Sequence, residues 1–116
     1  MLLTLLKSKI TAATVTQTAL EYEGSITIDE DLMEAARLVA GEQVHVLNLN
    51  NGARVITYVI PGERGSGTIC LNGPAARTGL VGDRVTVISY AHLTEEEAHT
   101  WKTSLVRLDD RNRATT

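Results

Sequence analysis

Phenylalanine is absent, and Tyr22, Tyr58, Tyr90 and Trp101 are the only aromatic side chains among 116 residues. So few rings cannot build an aromatic ligand cage or a base-stacking platform, and Val, Leu, Ile and Ala must fill the core. The single cysteine, Cys70, cannot close an internal disulfide. No Cys/His set has zinc-site spacing either, so a reducing compartment is favoured and no metal is expected. Charge of one sign is not in excess: eleven basic against fourteen acidic side chains leave −3, with a pI near 5.5. That balance offers no electrostatic footprint for nucleic acid or an anionic membrane. The opening Met1-Leu2-Leu3-Thr4-Leu5-Leu6-Lys7 lacks a basic lead-in and meets lysine before a signal-peptide core is complete, so a cytoplasmic protein is expected.

What is present is an ordinary globular mix, 43% hydrophobic and 22% charged, in a 12.5 kDa chain the size of one domain. No repeat or linker divides residues 1–116, and only 109–116 turns polar enough to predict a frayed tail. Thr14-Val15-Thr16-Gln17-Thr18 and Ile26-Thr27-Ile28 have the β-branched alternation of short strands. Asp29 offers an N-cap, and Leu32, Ala35, Ala36 and Val39 recur at helical spacing until Gly41 supplies a stop. Residues 43–47 and 54–60 flank Asn50-Asn51-Gly52-Ala53, and the Asn-Gly step predicts a hairpin because both its residues tolerate positive φ. Residues 61–67 read as a loop, 68–71 as a strand, Asn72-Gly73-Pro74 as a turn and 84–90 as another strand. Thr94-Glu95-Glu96-Glu97 fits a capping box that opens a second short helix toward Trp101, ahead of a strand at 104–108. Six or seven short strands with two small helices predict a mainly β chain, a small barrel decorated by helices.

The usual catalytic templates fail. There is no His-Glu-x-x-His, Walker loop or Rossmann glycine pattern, and His45, His92 and His99 read as surface or structural residues. The feature that stands out is Tyr22-Glu23-Gly24-Ser25-Ile26, a Gly-Ser step just before a strand. Glycine can hold strained backbone, and the following hydroxyl is close to the Gly24 carbonyl carbon. Attack by Ser25 Oγ on that carbonyl moves the acyl group from nitrogen to oxygen. Elimination then cuts the chain and leaves dehydroalanine, which hydrolyses to a pyruvoyl group. A bare Gly-Ser dipeptide is also an ordinary turn.

The surrounding blocks decide between the two. Lys9-Ile10, Ala13-Thr14-Val15-Thr16, Tyr22-x-Gly24-Ser25, Ile28-Asp29 and Asp31-Leu32 resemble the start of the pyruvoyl-dependent aspartate 1-decarboxylases. Asn51-Gly52-Ala53-Arg54 with Thr57-Tyr58, then Gly62-Glu63-Arg64-Gly65-Ser66-Gly67, Asn72-Gly73 with Ala75-Ala76, and Gly82-Asp83 continue the pattern in order. The resemblance implies a double-psi β-barrel with short helices, assembled as a homotetramer, that converts L-aspartate to β-alanine and carbon dioxide for pantothenate synthesis. It implies self-cleavage between Gly24 and Ser25 into residues 1–24 and 25–116. It also implies a covalent pyruvoyl cofactor made from Ser25, which forms a Schiff base with the substrate amine in place of pyridoxal phosphate.

Carried over position by position, the resemblance makes Tyr58 the proton donor, a role a phenol protonated at neutral pH can fill. Arg54 is assigned to the substrate carboxylate, Lys9 is a second cation in the substrate site, and Gly73, Pro74 and Ala75 are assigned to the pocket lining. Tyr22, Asn72 and Thr57 are assigned to the region of cleavage, and Thr57 to substrate binding as well. Strand alternation puts Arg54 and Tyr58 on one face and Thr57 on the other, so the Thr57 role requires a bulge or a neighbouring-subunit contact. Two positions depart from the family: Thr11 stands where histidine is common, and Pro74 where alanine is common. These departures raise the alternative of a non-processing structural homologue. Residues 73–85 also resemble the short helix and following strand of a PDZ peptide-binding module. The sequence leaves open whether an accessory maturation factor is needed.

Overall fold

The computed structural model describes residues 1–115; Thr116, the last residue of the expected tail, lies outside the described residues. In chain order the elements are β1 (Leu2–Thr14), β2 (Gln17–Ala19), β3 (Ser25–Asp29), α1 (Glu30–Ala35), β4 (Gln43–Asn48), β5 (Arg54–Gly62), β6 (Ile69–Asn72), a 3-10 helix (Gly73–Arg77), β7 (Arg84–Thr94), α2 (Glu95–Ala98) and β8 (Ser104–Arg107). The strands form one mixed sheet in the order β2-β6-β3-β5-β4-β7-β1-β8. Pairing is parallel for β1/β8, β2/β6 and β3/β5 and antiparallel elsewhere.

Val15 and Thr16 carry the chain from β1 to β2 and bond to both halves of the sheet. The Val15 amide donates to the Asp83 carbonyl at 2.9 Å and the Thr16 amide to the Ile69 carbonyl at 2.8 Å, which curls the sheet into a barrel. Its interior is aliphatic: Ile10, Ala13, Val15, Ile26, Ile28, Val44, Val46, Val59, Ile69, Leu71, Val85 and Val87 are buried, with Leu32 and Met33 of α1 against them. Burial of this many branched side chains is the main favourable term of the fold.

Asp29 fastens the end of β3. Its carboxylate caps α1 through Asp31 N at 2.8 Å and accepts from Gly65 N at 3.1 Å and Gly67 N at 2.9 Å, tying helix and loop to one point. The helix stops earlier than the spacing of its apolar residues predicts. Arg37 takes the left-handed conformation at φ 57, and the Leu38 amide reaches back to the Met33 carbonyl at 2.8 Å. This closure buries Leu38 and leaves Val39 outside, 66% exposed. The hairpin forms between β4 and β5, but as a wider loop in which Gly52 has positive φ and Asn51 does not. Pro61 and Gly62 belong to β5 and not to the loop.

Within the expected tail, Asn112 is only 2% exposed. Its side chain accepts from Thr14 N and donates to the carbonyls of Thr14 and Gly67, all at 2.8 Å, so residues 109–115 are stitched across the barrel end.

Candidate active site

Ser25 opens β3 fully buried and pairs with Asn72, the last residue of β6. Alternation sends Ile26 and Ile28 into the core, so Ser25 and Thr27 face the other way. There the Asn72 amide meets both, donating from Nδ2 to Ser25 Oγ at 3.0 Å and to Thr27 Oγ1 at 2.9 Å. The other end of that amide, Oδ1, accepts from the Cys70 thiol at 3.1 Å. Burial pushes the Cys70 thiol up, which keeps it a hydrogen-bond donor. The Ser25 hydroxyl donates to the Glu23 carbonyl at 3.3 Å.

The segment before Ser25 rests on the turn after Asn72. Gly73 has φ 63, and a Cβ there would stand 2.5 Å from the Tyr22 carbonyl oxygen and 2.8 Å from Gly24 N. Only glycine admits both the conformation and the contact. The Pro74 ring lies over Gly24, with Cδ 3.4 Å from where a Cβ on residue 24 would be. Gly24 itself is not in the left-handed region. The glycine with a left-handed backbone is its neighbour across the contact, Gly73. Ala75 follows, buried in the 3-10 helix. The Tyr22 ring, 55% exposed, borders a shallow pocket with Thr27, Ile60, Cys70 and Asn72.

A second group lies elsewhere. Lys9 and Arg54 line one groove of about 330 Å³ together with Leu47, Thr86 and Ile88. Arg54 Nη1 stands 3.1 Å from His45 Nδ1, and the His45 ring packs edge-on against Tyr90 with centroids 5.1 Å apart. Along β5 the side chains of Arg54, Ile56 and Tyr58 are exposed while Val55, Thr57 and Val59 alternate toward the interior. The parallel register Ile26↔Val59 brings Tyr58 level with Ser25, and both share the face on which Thr27 and Ile60 line one pocket. Arg54 is four residues further back, about 13 Å along an extended strand.

The structure thus brings Tyr22, Gly24, Ser25, Asn72, Gly73 and Pro74 together, with Tyr58 on the same face, and places Lys9 and Arg54 in a separate groove. Thr57 joins neither. The β4/β5 ladder runs without a register shift through Val44↔Thr57, so the bulge that would turn Thr57 outward is not present. Thr11 pairs with Arg107 inside a break in the β1/β7 register, beside Ala12 at φ 59. Thr27, Cys70 and His45 are not among the site residues expected from the sequence. The Ser-x-Thr and Cys-x-Asn alternations signal the first two, and hairpin register puts position 45 diagonal to 54. Among the described residues no cluster of three metal-ligating side chains occurs, and no helix is long and apolar enough to cross a membrane.

Comparison with known proteins settles the family. The aspartate decarboxylase family model matches residues 1–115. The chain belongs to the aspartate decarboxylase family. It is 56% identical to the aspartate 1-decarboxylase of Dehalococcoides mccartyi, over 96% of this chain and 90% of that protein. It is 58% identical to the aspartate 1-decarboxylase of Caldicellulosiruptor saccharolyticus, over 97% and 88%. Among solved structures, a rationally designed DPBB protein superposes with a TM-score of 0.51 at 16% identity, covering 66% of this chain and 90% of its own. A computationally designed DPBB protein gives 0.50 at 18% identity, covering 75% and 99%. The expected double-psi β-barrel with short helices is therefore the fold. The aspartate decarboxylase match also spans residues 73–85, the basis of the PDZ comparison, which form the 3-10 helix and the entry to β7.

Proposed function

We propose that this protein decarboxylates L-aspartate to β-alanine and carbon dioxide, a carbon–carbon lyase reaction that supplies pantothenate synthesis, after cutting its own chain between Gly24 and Ser25. The observation that carries the reading is the cradle of Ser25: a buried hydroxyl held by Asn72, with the preceding residues packed closely against Gly73 and Pro74.

These residues fit a group made from position 25. Asn72 donates to Ser25 Oγ and so orients its remaining lone pairs, while the Glu23 carbonyl takes the hydroxyl hydrogen. Elimination would release residues 1–24 with a free carboxylate, and addition of water to the dehydroalanine left at position 25 would expel its nitrogen as ammonia, so that residues 25–116 begin with a pyruvoyl carbonyl. A pyruvoyl group at position 25, held by Asn72, would supply an electrophilic carbonyl for the substrate amine and an electron sink for decarboxylation.

The rest is done by this chain's own side chains. Arg54, with a planar two-pronged donor set, grips one carboxylate of the substrate, and Lys9 in the same groove supplies a second cation. Tyr58 returns a proton to the carbon that loses carbon dioxide. Gly73, Pro74 and Ala75 wall the pocket, and Tyr22, Asn72 and Thr57 serve the cleavage step, Thr57 only if a neighbouring copy reaches it.

Because the Lys9–Arg54 groove and the Ser25 cradle are apart within one chain, the complete site forms between copies in a homotetramer. Exposed Ile56, Tyr58 and Tyr90 on the outer face give such a partner an apolar strip to cover. The protein works in the cytoplasm on a small-molecule substrate, with neither metal nor pyridoxal phosphate.

Mass spectrometry of the purified protein tests the reading. Two masses, for residues 1–24 and for 25–116 with a pyruvoyl start, are expected, and Ser25→Ala should abolish both cleavage and carbon dioxide release. One full-length mass after prolonged incubation would instead mark a non-processing homologue, and carbon dioxide release surviving Ser25→Ala would overturn the mechanism.

A further inference from the structure

The side chain that takes the substrate carboxylate in the reading above is not free to point anywhere. None of the ion pairs among the described residues includes Arg54. Its hydrogen bond is to His45 Nδ1 at 3.1 Å. A guanidinium has donors only, so Nδ1 must be the acceptor and the ring must be neutral, with its hydrogen on Nε2. The ladder explains the meeting: His45 lies opposite Ile56 and Arg54 opposite Leu47, which makes the two diagonal neighbours on one face of β4 and β5. Tyr90 of β7 fixes the ring from the far side at 76°.

We infer that neutral His45 is a positioning residue for Arg54, holding the guanidinium at the mouth of the Lys9 groove, so that aspartate binding weakens when His45 takes up a proton. Protonation removes the acceptor and sets two cations 3.1 Å apart. The inference rests on the reading that Arg54 grips a substrate carboxylate.

The charged and titratable groups around His45 come from every strand packed on it. They are Arg54 and Tyr58 from β5, the two diagonal neighbours on either side of Ile56, Tyr90 and His92 from β7, Lys9 from β1, across Ile88, and Glu42 just ahead of β4. Two of these are engaged elsewhere. Glu42 holds Lys7 Nζ at 2.8 Å, and His92 Nδ1 is 3.2 Å from Thr4 Oγ1. Aspartate's own groups do not change charge between about pH 5 and pH 8, the window in which histidine does.

KM and kcat for aspartate are measured across that window on the fully cleaved enzyme and on His45→Gln, His45→Phe, His92→Gln and Arg54→Ala. The KM of the unaltered enzyme should rise about 3- to 10-fold from pH 8 to pH 5, with kcat moving less, the size expected for the net loss of one ordinary hydrogen bond. His45→Gln keeps an acceptor that does not titrate, so its KM should stay near the unaltered value at pH 8 and remain flat. His45→Phe keeps the ring but no acceptor, so its KM should be raised at every pH. His92→Gln should retain the acid rise. An acid rise that persists in His45→Gln, or disappears in His92→Gln, overturns the inference, as does a His45→Phe enzyme with unaltered KM. Arg54→Ala separates the two levels. If its KM is unchanged, the assignment of Arg54 itself fails; if it is raised while His45→Phe is not, only the positioning role fails.

Discussion

Gly73→Ala isolates what the contact between Gly73 and the cleavage segment contributes. The new methyl would meet the Tyr22 carbonyl oxygen at 2.5 Å, Gly24 N at 2.8 Å and Gly24 Cα at 2.9 Å. All three are backbone atoms, so no rotamer change relieves them. Restoring the first to the 3.4 Å of ordinary contact moves residues 22–24 by about 0.9 Å, because repulsion is steep at such distances. A shift of that size stretches the Asn72–Ser25 hydrogen bond, now 3.0 Å, beyond useful length. Alanine at φ 63 adds about 1 kcal/mol of backbone strain. Gly41→Ala is the matched control, since Gly41 has φ 86 with nothing within 4 Å and incurs the strain alone. Denaturant unfolding of both variants, each carrying Ser25→Ala so that only intact chains are compared, should show Gly73→Ala about 2 kcal/mol less stable than Gly41→Ala. In chains that retain Ser25, mass spectrometry should show cleavage slowed in Gly73→Ala and unchanged in Gly41→Ala. Equal stability of the two variants, or normal cleavage of Gly73→Ala, would refute the argument that this packing holds the scissile peptide.

Asn112→Ala removes three 2.8 Å hydrogen bonds from a side chain 2% exposed and should lower stability by about 2–3 kcal/mol in denaturant titrations, where a loss below about 0.5 kcal/mol contradicts it. Cys70 is 5% exposed and its thiol is pushed up by desolvation, so the neutral form persists and iodoacetamide should label the folded protein far more slowly than the unfolded chain; equal labelling rates contradict this. Hydrogen bonds from Asn48 and from the Leu80 amide hold the Asp83 carboxyl below the usual aspartate range. The sign follows: its contribution is complete at neutral pH and is lost as pH falls below the unfolded aspartate value toward the lower folded one. Asp83→Asn should therefore flatten the acid limb of the stability curve, and superimposable acid limbs would show that the carboxyl contributes nothing.

Local chemistry explains which features could be read from residues alone. The capping box at Thr94 and Glu97 forms as written, with Thr94 Oγ1 taking Glu97 N at 3.1 Å and Glu97 Oε1 taking Thr94 N at 2.9 Å, because both partners lie within one turn. The hairpin was legible from Asn51-Gly52 for the same reason. Its true width was not, since Asn48 Oδ1 draws in the Asn50 amide and widens the loop. The 13 residues of β1 show little alternation, because the ladder with β7 shifts register between Leu6 and Ser8 and again between Ile10 and Ala13, and each shift changes which side chains face inward. Arg37 gives no hint of a helix end, as its left-handed turn is held by Trp101, 5.1 Å below the guanidinium, and by Ser104 at 2.6 Å. Asn112 looks like tail until Thr14 and Gly67 are placed around it. In the site, the Gly-Ser step and its matching blocks exposed the cradle. The His45–Arg54 contact required the register of a particular hairpin and lay beyond any motif.

A polypeptide opened between residues 24 and 25 need not come apart. The shorter fragment supplies both β1 and β2, and β1 sits between β7 and β8 as an inner member of the ladder. Its withdrawal would strip two neighbours of their partners at once, so both fragments should copurify through native chromatography and melt in a single transition, separating only under denaturation.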